Sequence, residues 1–222
     1  NDHSSSYQGY RGLPTLAGLS PMDRAVDGSW SLDESLGRLK RLHFVLKWLH
    51  ETLTAKITAE PIYELKTAFS HHAYICAEQV SLLRRRVSEM RAPPLGLEHV
   101  PHPALERLME EIDAAGDTVE LLAAVYALVL PAAIDSCRRL EADAHPLADA
   151  PTIRVAKLIA FELTDIVSFG VKAIECLDDE EHRERREAWM DLLGRCLNAA
   201  GGLDGTSPTS EEIPERLYSA DP

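Results

Sequence analysis

Two acidic residues interrupt an apolar helical stripe in the carboxyl-terminal half of the chain. Glu162 and Asp165 are three residues apart, so their side chains project from one face of a helix. The stripe also carries Val155, Leu158 and Phe169. A carboxylate buried without a partner is strongly destabilising, so this pair requires a cation, a shared proton or hydrogen bonds. Either a metal or catalytic role or a salt bridge to a neighbouring helix would meet that requirement.

A second candidate set lies earlier in the chain, where Glu64, His71 and Glu78 recur at steps of seven residues. His72 lies on the adjacent apolar seam of the same helix. A histidine and a carboxylate that face a bundle axis are plausible metal ligands, because imidazole and carboxylate suit iron, manganese and zinc. The alternative is that His71 is a surface residue and His72 a hydrogen-bonded core histidine.

Two further helices contribute candidates. The first carries His43 and His50 on its apolar seam, and Glu51 beside them. We expect Glu51 to be the carboxylate that this helix directs into the bundle, whereas a seam histidine is usually satisfied by a backbone carbonyl. Tyr126 lies near the apolar face of the third helix and is a candidate catalytic residue, although a packing role with its hydroxyl at the rim is the ordinary alternative.

Apolar residues spaced by three and four predict the elements that must position these side chains. Four long helices are expected, at about 31–58, 61–91, 118–144 and 152–177. Ser31 and Glu34 fit a capping box at the start of the first helix, and Pro93 and Pro94 end the second. Pro131 predicts a kink or local opening in the third. The fourth, apolar on nearly every side, is expected to be the most buried.

The chain shows no strand-like alternation of polar and apolar residues, which predicts an all-α fold. Four long helices favour an antiparallel four-helix bundle over residues 31–200, with an extra helix at its carboxyl end. Residues 1–30 are expected to form an extended arm, and residues 201–222 a disordered polar tail.

Composition limits the classes of partner and compartment. The formal net charge of −13 repels nucleic acid phosphates and anionic lipids, so neither is an expected partner. The densest apolar stretch contains three charged residues, and the amino terminus has no signal-peptide pattern, so we expect a soluble protein without a membrane anchor. The four cysteines form no CxxC pair and each lies in a helical pattern, which favours reduced, buried thiols and a cytoplasmic location over a disulfide framework.

Several segments resemble a bacterial branch of the ferritin-like superfamily. They include the residues around His71–His72 and Glu78–Gln79, the stretch from Val125-Tyr126 to Pro131-Ala132, and the sequence HPLADAPT at 145–152. The resemblance covers roughly residues 35–175. It implies two metal ions held between four helices by carboxylates and by an ExxH motif on each of two helices.

The chain departs from that pattern at both motifs. Ser81 and Asp165 stand where the two ExxH motifs would supply histidine, and Gln79 also replaces an expected histidine. Carried over by resemblance, Glu78 and Glu162 match bridging or terminal carboxylates, and Glu51 matches a ligand of the first helix.

The residues and the resemblance together lead to one principal functional expectation and two alternatives. The principal expectation is an oxidase or oxygenase with two iron ions, acting on a small organic substrate, with a ligand set of Glu51, His71, His72, Glu78, Glu162 and Asp165. The first alternative is a metal-free enzyme in which Asp165, Glu162 and His72 act as acid and base in a non-redox reaction, such as a cyclisation or isomerisation. The second is a non-catalytic binding protein. A homodimer formed through the last helix with Trp189 is also expected.

Overall fold

The computed structural model describes residues 8–26, 31–90, 94–177 and 183–218. All regular elements in these ranges are helical, and none of the described residues forms a strand. The predicted all-α class is therefore confirmed. The helices are α1 (Met22–Val26), α2 (Leu32–Ala59), α3 (Tyr63–Glu89), α4 (Pro103–Asp113), α5 (Thr118–Leu122), α6 (Leu130–Asp143), α7 (Ala150–Leu177) and α8 (Arg183–Ala199).

The α2–α3 pair has the most extensive helix–helix packing in the molecule. The predicted capping box opens α2, since the backbone N–H of Glu34 donates to the Ser31 hydroxyl and the Ser31 N–H donates to the Glu34 carboxylate at 2.8 Å. Near the other end of α2, His50 Nδ1 lies 3.0 Å from the carbonyl oxygen of Ala73 in α3. Leucines such as Leu46 and Leu83 fill the space around this pair.

The predicted third helix contains a π-helical segment, Ala123–Val129, between α5 and α6. The N–H of Leu130 donates to the carbonyl of Val125, five residues back. Pro131 has no N–H to continue the normal α-helical pattern, which accounts for a wider turn just before it. The expected local opening is thus present as a π segment, and it directs Tyr126 towards α7.

The combined helical segment Thr118–Asp143 is long and apolar enough to cross a membrane by length and composition. Within the molecule, however, 61% of its most apolar window is buried against other elements. A core helix has the same property, so this segment is weak evidence for a membrane span.

Helix α7 packs mainly against α6 and more lightly against α3. It is not the most buried helix, contrary to the expectation from its sequence. Leu163 is fully buried, but Phe161 is 70% exposed and Val171 is 41% exposed on the opposite side. The helix covers the core with one face only, and its other face lies in solvent although it is partly apolar.

The carboxyl-terminal part of the chain is placed on α4, against which α8 packs. Trp189 in α8 is fully buried, and its indole N–H donates to Glu111 at 3.2 Å. Trp189 is therefore not available to a second copy, which corrects the expected mode of dimerisation. Residues 201–218 also differ from the expected disordered tail, because the N–H of Leu217 donates to Glu111 and the Tyr218 hydroxyl donates to Glu120. Residues 219–222 lie outside the described ranges.

The amino-terminal arm contains two 3₁₀ turns, Tyr10–Gly12 and Thr15–Gly18, and then α1. Most of its residues are exposed. It is joined to the rest of the molecule where His145 Nε2 lies 3.1 Å from the carbonyl oxygen of Ala25. Residues 1–7 and 27–30 of the expected arm fall outside the described ranges.

The four cysteines are all free thiols. Cys76, Cys137 and Cys196 are buried, and burial raises the pKa of Cys76 and Cys137 to about 12. Cys176 is exposed on α7, so the expectation of buried thiols applies to three of the four.

Candidate functional site

Four of the predicted ligands lie at the surface and not in the interior. Glu51, His71, Glu78 and Asp165 are exposed. The stripe that carries His71 and Glu78 lies just beyond the buried face of α3, and this corrects the expectation that it faces the bundle axis. Glu51 borders a different surface, a groove of about 520 Å³ between α2 and the end of α4.

Helices α3 and α7 nevertheless bring several of the predicted residues to one line of contact, which we call the α3–α7 seam. In the seam, Gln79 Nε2 donates to Glu162 Oε2 at 3.3 Å. The ring centroid of His72 lies 5.4 Å from that of Phe169 and 5.8 Å from that of His71. The seam is formed by His71, His72, Gln79, Glu162 and Phe169. We include Asp165, which is exposed and follows Glu162 by three residues on α7.

A buried hydrogen bond forms the inner wall of the seam. His72 Nδ1 lies 2.8 Å from the Tyr126 hydroxyl, and both side chains are buried. Gly170 makes this position of Tyr126 possible, because a Cβ at residue 170 would lie 2.0 Å from Tyr126 Cγ. His72 is thus the hydrogen-bonded core histidine of the alternative interpretation, and the Tyr126 hydroxyl is buried and does not lie at the rim.

The two groups of this hydrogen bond are neutral at ordinary pH. Burial, with a smaller contribution from His71, lowers the pKa of His72 to about 4. Burial also raises the pKa of Tyr126 above its usual range. His72 Nδ1 is the hydrogen-bond partner of the Tyr126 hydroxyl in the described part of the chain, so we assign the hydroxyl proton to that bond and the imidazole proton to Nε2.

In the sequence Gln79 stands out only as the replacement of an expected histidine, but in the structure it is a functional candidate in its own right. Its side chain is fully buried, and its Oε1 atom has no hydrogen-bond partner among the described residues. Its amide nitrogen approaches Glu162, which is half-buried. Within the described ranges neither Glu162 nor Asp165 forms an ion pair, so the seam presents carboxylates that no cationic side chain in those ranges neutralises. The sequence feature that could have identified Gln79 is its position seven residues after His72, on the buried face of α3.

His43 is a second buried residue with unsatisfied groups. It is 0% exposed, and neither ring nitrogen has a partner among the described residues. Burial lowers its pKa to about 4. In the antiparallel α2–α3 pair, His50 contacts Ala73, so His43, seven residues earlier, lies at the height of Val80, which is seven residues later. The expected backbone acceptor is found for His50 but not for His43.

The described residues do not fit the expected two-metal centre. No group of three or more His, Cys, Asp or Glu side chains converges to hold an ion in the part of the chain that the structure describes. Glu162 has an amide as its near neighbour, His72 is bonded to Tyr126, and Glu51 lies on another surface. The arrangement can instead hold a molecule that supplies hydrogen-bond donors.

Comparison of the chain with protein-family models, with curated proteins and with solved structures gave no match. The resemblance to the ferritin-like superfamily therefore rests on the sequence segments described above, and the site must be interpreted from its own geometry.

Proposed function

We propose that this chain binds a small organic cation, such as a protonated amine, at the α3–α7 seam. The observation that carries the proposal is Gln79 Oε1, which is buried, has no hydrogen-bond partner among the residues that the structure describes, and lies beside the half-buried carboxylate of Glu162. An unsatisfied buried acceptor costs about 1–3 kcal/mol, so a ligand that donates a hydrogen bond there offsets a penalty that the protein already carries.

The seam has the chemistry of a site for an ammonium group. Glu162 and Asp165 supply negative charge on adjacent turns of α7, and Gln79 supplies a neutral acceptor. Phe169 is 36% exposed beside them, so its ring can contact a cation or the apolar part of an amine. The net charge of −13 increases the local concentration of cations around the protein.

The inner wall is compatible with a cationic ligand because it carries no positive charge of its own. His72 has a pKa of about 4 and is neutral at pH 7. Its bond to Tyr126 keeps the imidazole in one orientation, so the wall is fixed before the ligand arrives. In this proposal His72 is a positioning residue and does not act as a base.

Isothermal titration calorimetry with benzylammonium as the probe tests the proposal. We expect benzylammonium to bind, and benzyl alcohol, which has the same ring but no charge, to bind at least about tenfold more weakly. Glu162→Gln and Gln79→Leu should each weaken benzylammonium by about tenfold or more. Glu184→Gln is the control, because it removes the same charge at an exposed position near the start of α8. It should leave the affinity for benzylammonium unchanged.

Two results would overturn the proposal. One is equal affinity for benzylammonium and benzyl alcohol, and the other is unchanged affinity in both seam variants. The same preparations distinguish the di-iron alternative by elemental analysis after growth with added iron. Two irons per chain that are lost in Glu162→Ala would favour the oxidase over the amine-binding protein.

A further inference from the structure

We propose that two copies of this chain associate through the outer face of α7, with the two α7 helices antiparallel. This goes beyond the ligand-binding proposal and uses a different face of the helix. The exposed residues of this face follow spacings of alternately three and four, which is the pattern of a helix–helix contact. They form the α7 outer stripe: Arg154, Lys157, Phe161, Thr164, Ser168, Val171 and Glu175.

The centre of the α7 outer stripe is suited to burial. Phe161 and Val171 are 70% and 41% exposed apolar side chains, and no element in the described ranges covers them. Between them, the Thr164 hydroxyl donates to the carbonyl of Ala160, and the Ser168 hydroxyl donates to the carbonyl of Thr164. Since both hydroxyls are already satisfied, a second helix can cover them without leaving an unpaired donor.

The sequence of the stripe is complementary to itself in an antiparallel register. If a two-fold axis passes between Thr164 and Ser168, Phe161 of one copy faces the partner's Val171, and Thr164 faces the partner's Ser168. In the same register Lys157 faces the partner's Glu175 at both ends of the contact. A parallel arrangement would instead place each lysine opposite a lysine and each glutamate opposite a glutamate.

This self-complementarity is the reason that the occupant is a second copy and not an unrelated protein. Lys157 already forms an ion pair with Glu141 at 3.2 Å, but both side chains are largely exposed, at 59% and 41%. An exposed ion pair contributes little to stability, so Lys157 can exchange or share its partner when the copies meet. Glu175 has no ion-pair partner among the described residues, which leaves it available to the second copy.

Sedimentation velocity over a wide range of protein concentration tests the association. We expect a concentration-dependent dimer for the unaltered chain. Phe161→Glu should weaken the dimer by at least about tenfold, because two carboxylates would be buried near the axis. Lys157→Glu and Glu175→Lys should each weaken it, since each places like charges opposite one another, and the double variant should restore it. Circular dichroism of each variant controls for folding.

Oxidation of Cys176 distinguishes antiparallel from parallel α7 helices in the dimer. In the antiparallel register its counterpart in the second copy is about 30 Å away along the axis, so mild oxidation should give no covalent dimer. A disulfide-linked dimer through Cys176 would instead indicate parallel helices and overturn the proposal. A monomer at every concentration would overturn it too, as would a double charge variant no tighter than the single ones.

Discussion

His43 and His72 are buried imidazoles whose pKa values are lowered to about 4, compared with an ordinary value of 6.5. Above pH 6.5 both histidines are neutral in the folded and the unfolded chain, and they contribute no pH dependence. Below that value the unfolded chain binds protons that the folded chain does not, so the free energy of unfolding falls as the pH is lowered towards 4. At the scale of single residues, these two histidines therefore predict acid sensitivity in a defined range.

Urea unfolding at about pH 7.5 and about pH 5 measures this effect. We expect a loss of about 2 kcal/mol for each of the two histidines over that range. His43→Leu should remove roughly half of the loss. It should also raise stability at neutral pH, because it removes two buried nitrogens that have no partner in the described part of the chain. His99→Leu, at an exposed histidine, is the control. A pH dependence unchanged by His43→Leu would show that His43 is not buried as described.

At the scale of elements, the close packing of α7 on the π segment depends on a glycine, Gly170, which has no side chain. Gly170 allows the Tyr126 ring to lie against the α7 backbone, and this contact fixes the hydroxyl that bonds His72. Neither partner can move easily at this point, because the ring is fully buried and Gly170 lies inside α7, away from both of its ends. The contact therefore aligns the inner wall of the seam.

Gly170→Ala should destabilise the protein by about 1–3 kcal/mol, because the new methyl group would overlap Tyr126. Gly194→Ala is the matched control in α8, where a Cβ meets no atom within 4 Å. That variant should be neutral or more stable by about 0.5–1 kcal/mol, as expected for replacing a helical glycine. Thermal unfolding followed by circular dichroism measures both. Equal melting temperatures for the two variants would contradict the described contact.

At the scale of the whole molecule, the carboxyl-terminal segment closes the side of the fold formed by α4, α5 and α8. The Glu120 side chain is fully buried and accepts hydrogen bonds from the Tyr218 hydroxyl, from Arg185 and from the N–H of Gly116. The Tyr218 ring also lies 6.0 Å from that of Trp189. Burial and Glu120 together raise the pKa of Tyr218 to about 12, so its proton stays in the hydrogen bond over the working pH range.

Tyr218→Phe should therefore lower the free energy of unfolding by about 1–2 kcal/mol, since the buried carboxylate of Glu120 loses one of its hydrogen-bond donors. Tyr10→Phe removes a hydroxyl from a tyrosine that is 71% exposed and should have no effect. Chemical denaturation followed by tryptophan fluorescence is the measurement. Identical stability of the two variants would show that the carboxyl-terminal segment is not docked on Glu120.

Local patterns in the sequence were sufficient for the all-α class and for the long helices. The capping box at Ser31 marks the start of α2, and Pro131 marks the disturbed turn. Helix formation depends on interactions between residues a few positions apart, so the local sequence determines them. For the same reason His72 and Tyr126 could be recognised as core residues from their positions on apolar seams.

Tertiary packing alone decided which polar residues meet. A stripe at seven-residue steps drifts around an α-helix, and only the position of the neighbouring helix settles whether its members are buried or exposed. The packing of α7 on α3 left His71 and Glu78 outside and placed Gln79 against Glu162. Likewise, the sequence could not show that the outer face of α7 is left uncovered by the described helices, because burial depends on distant parts of the chain that a local pattern does not contain.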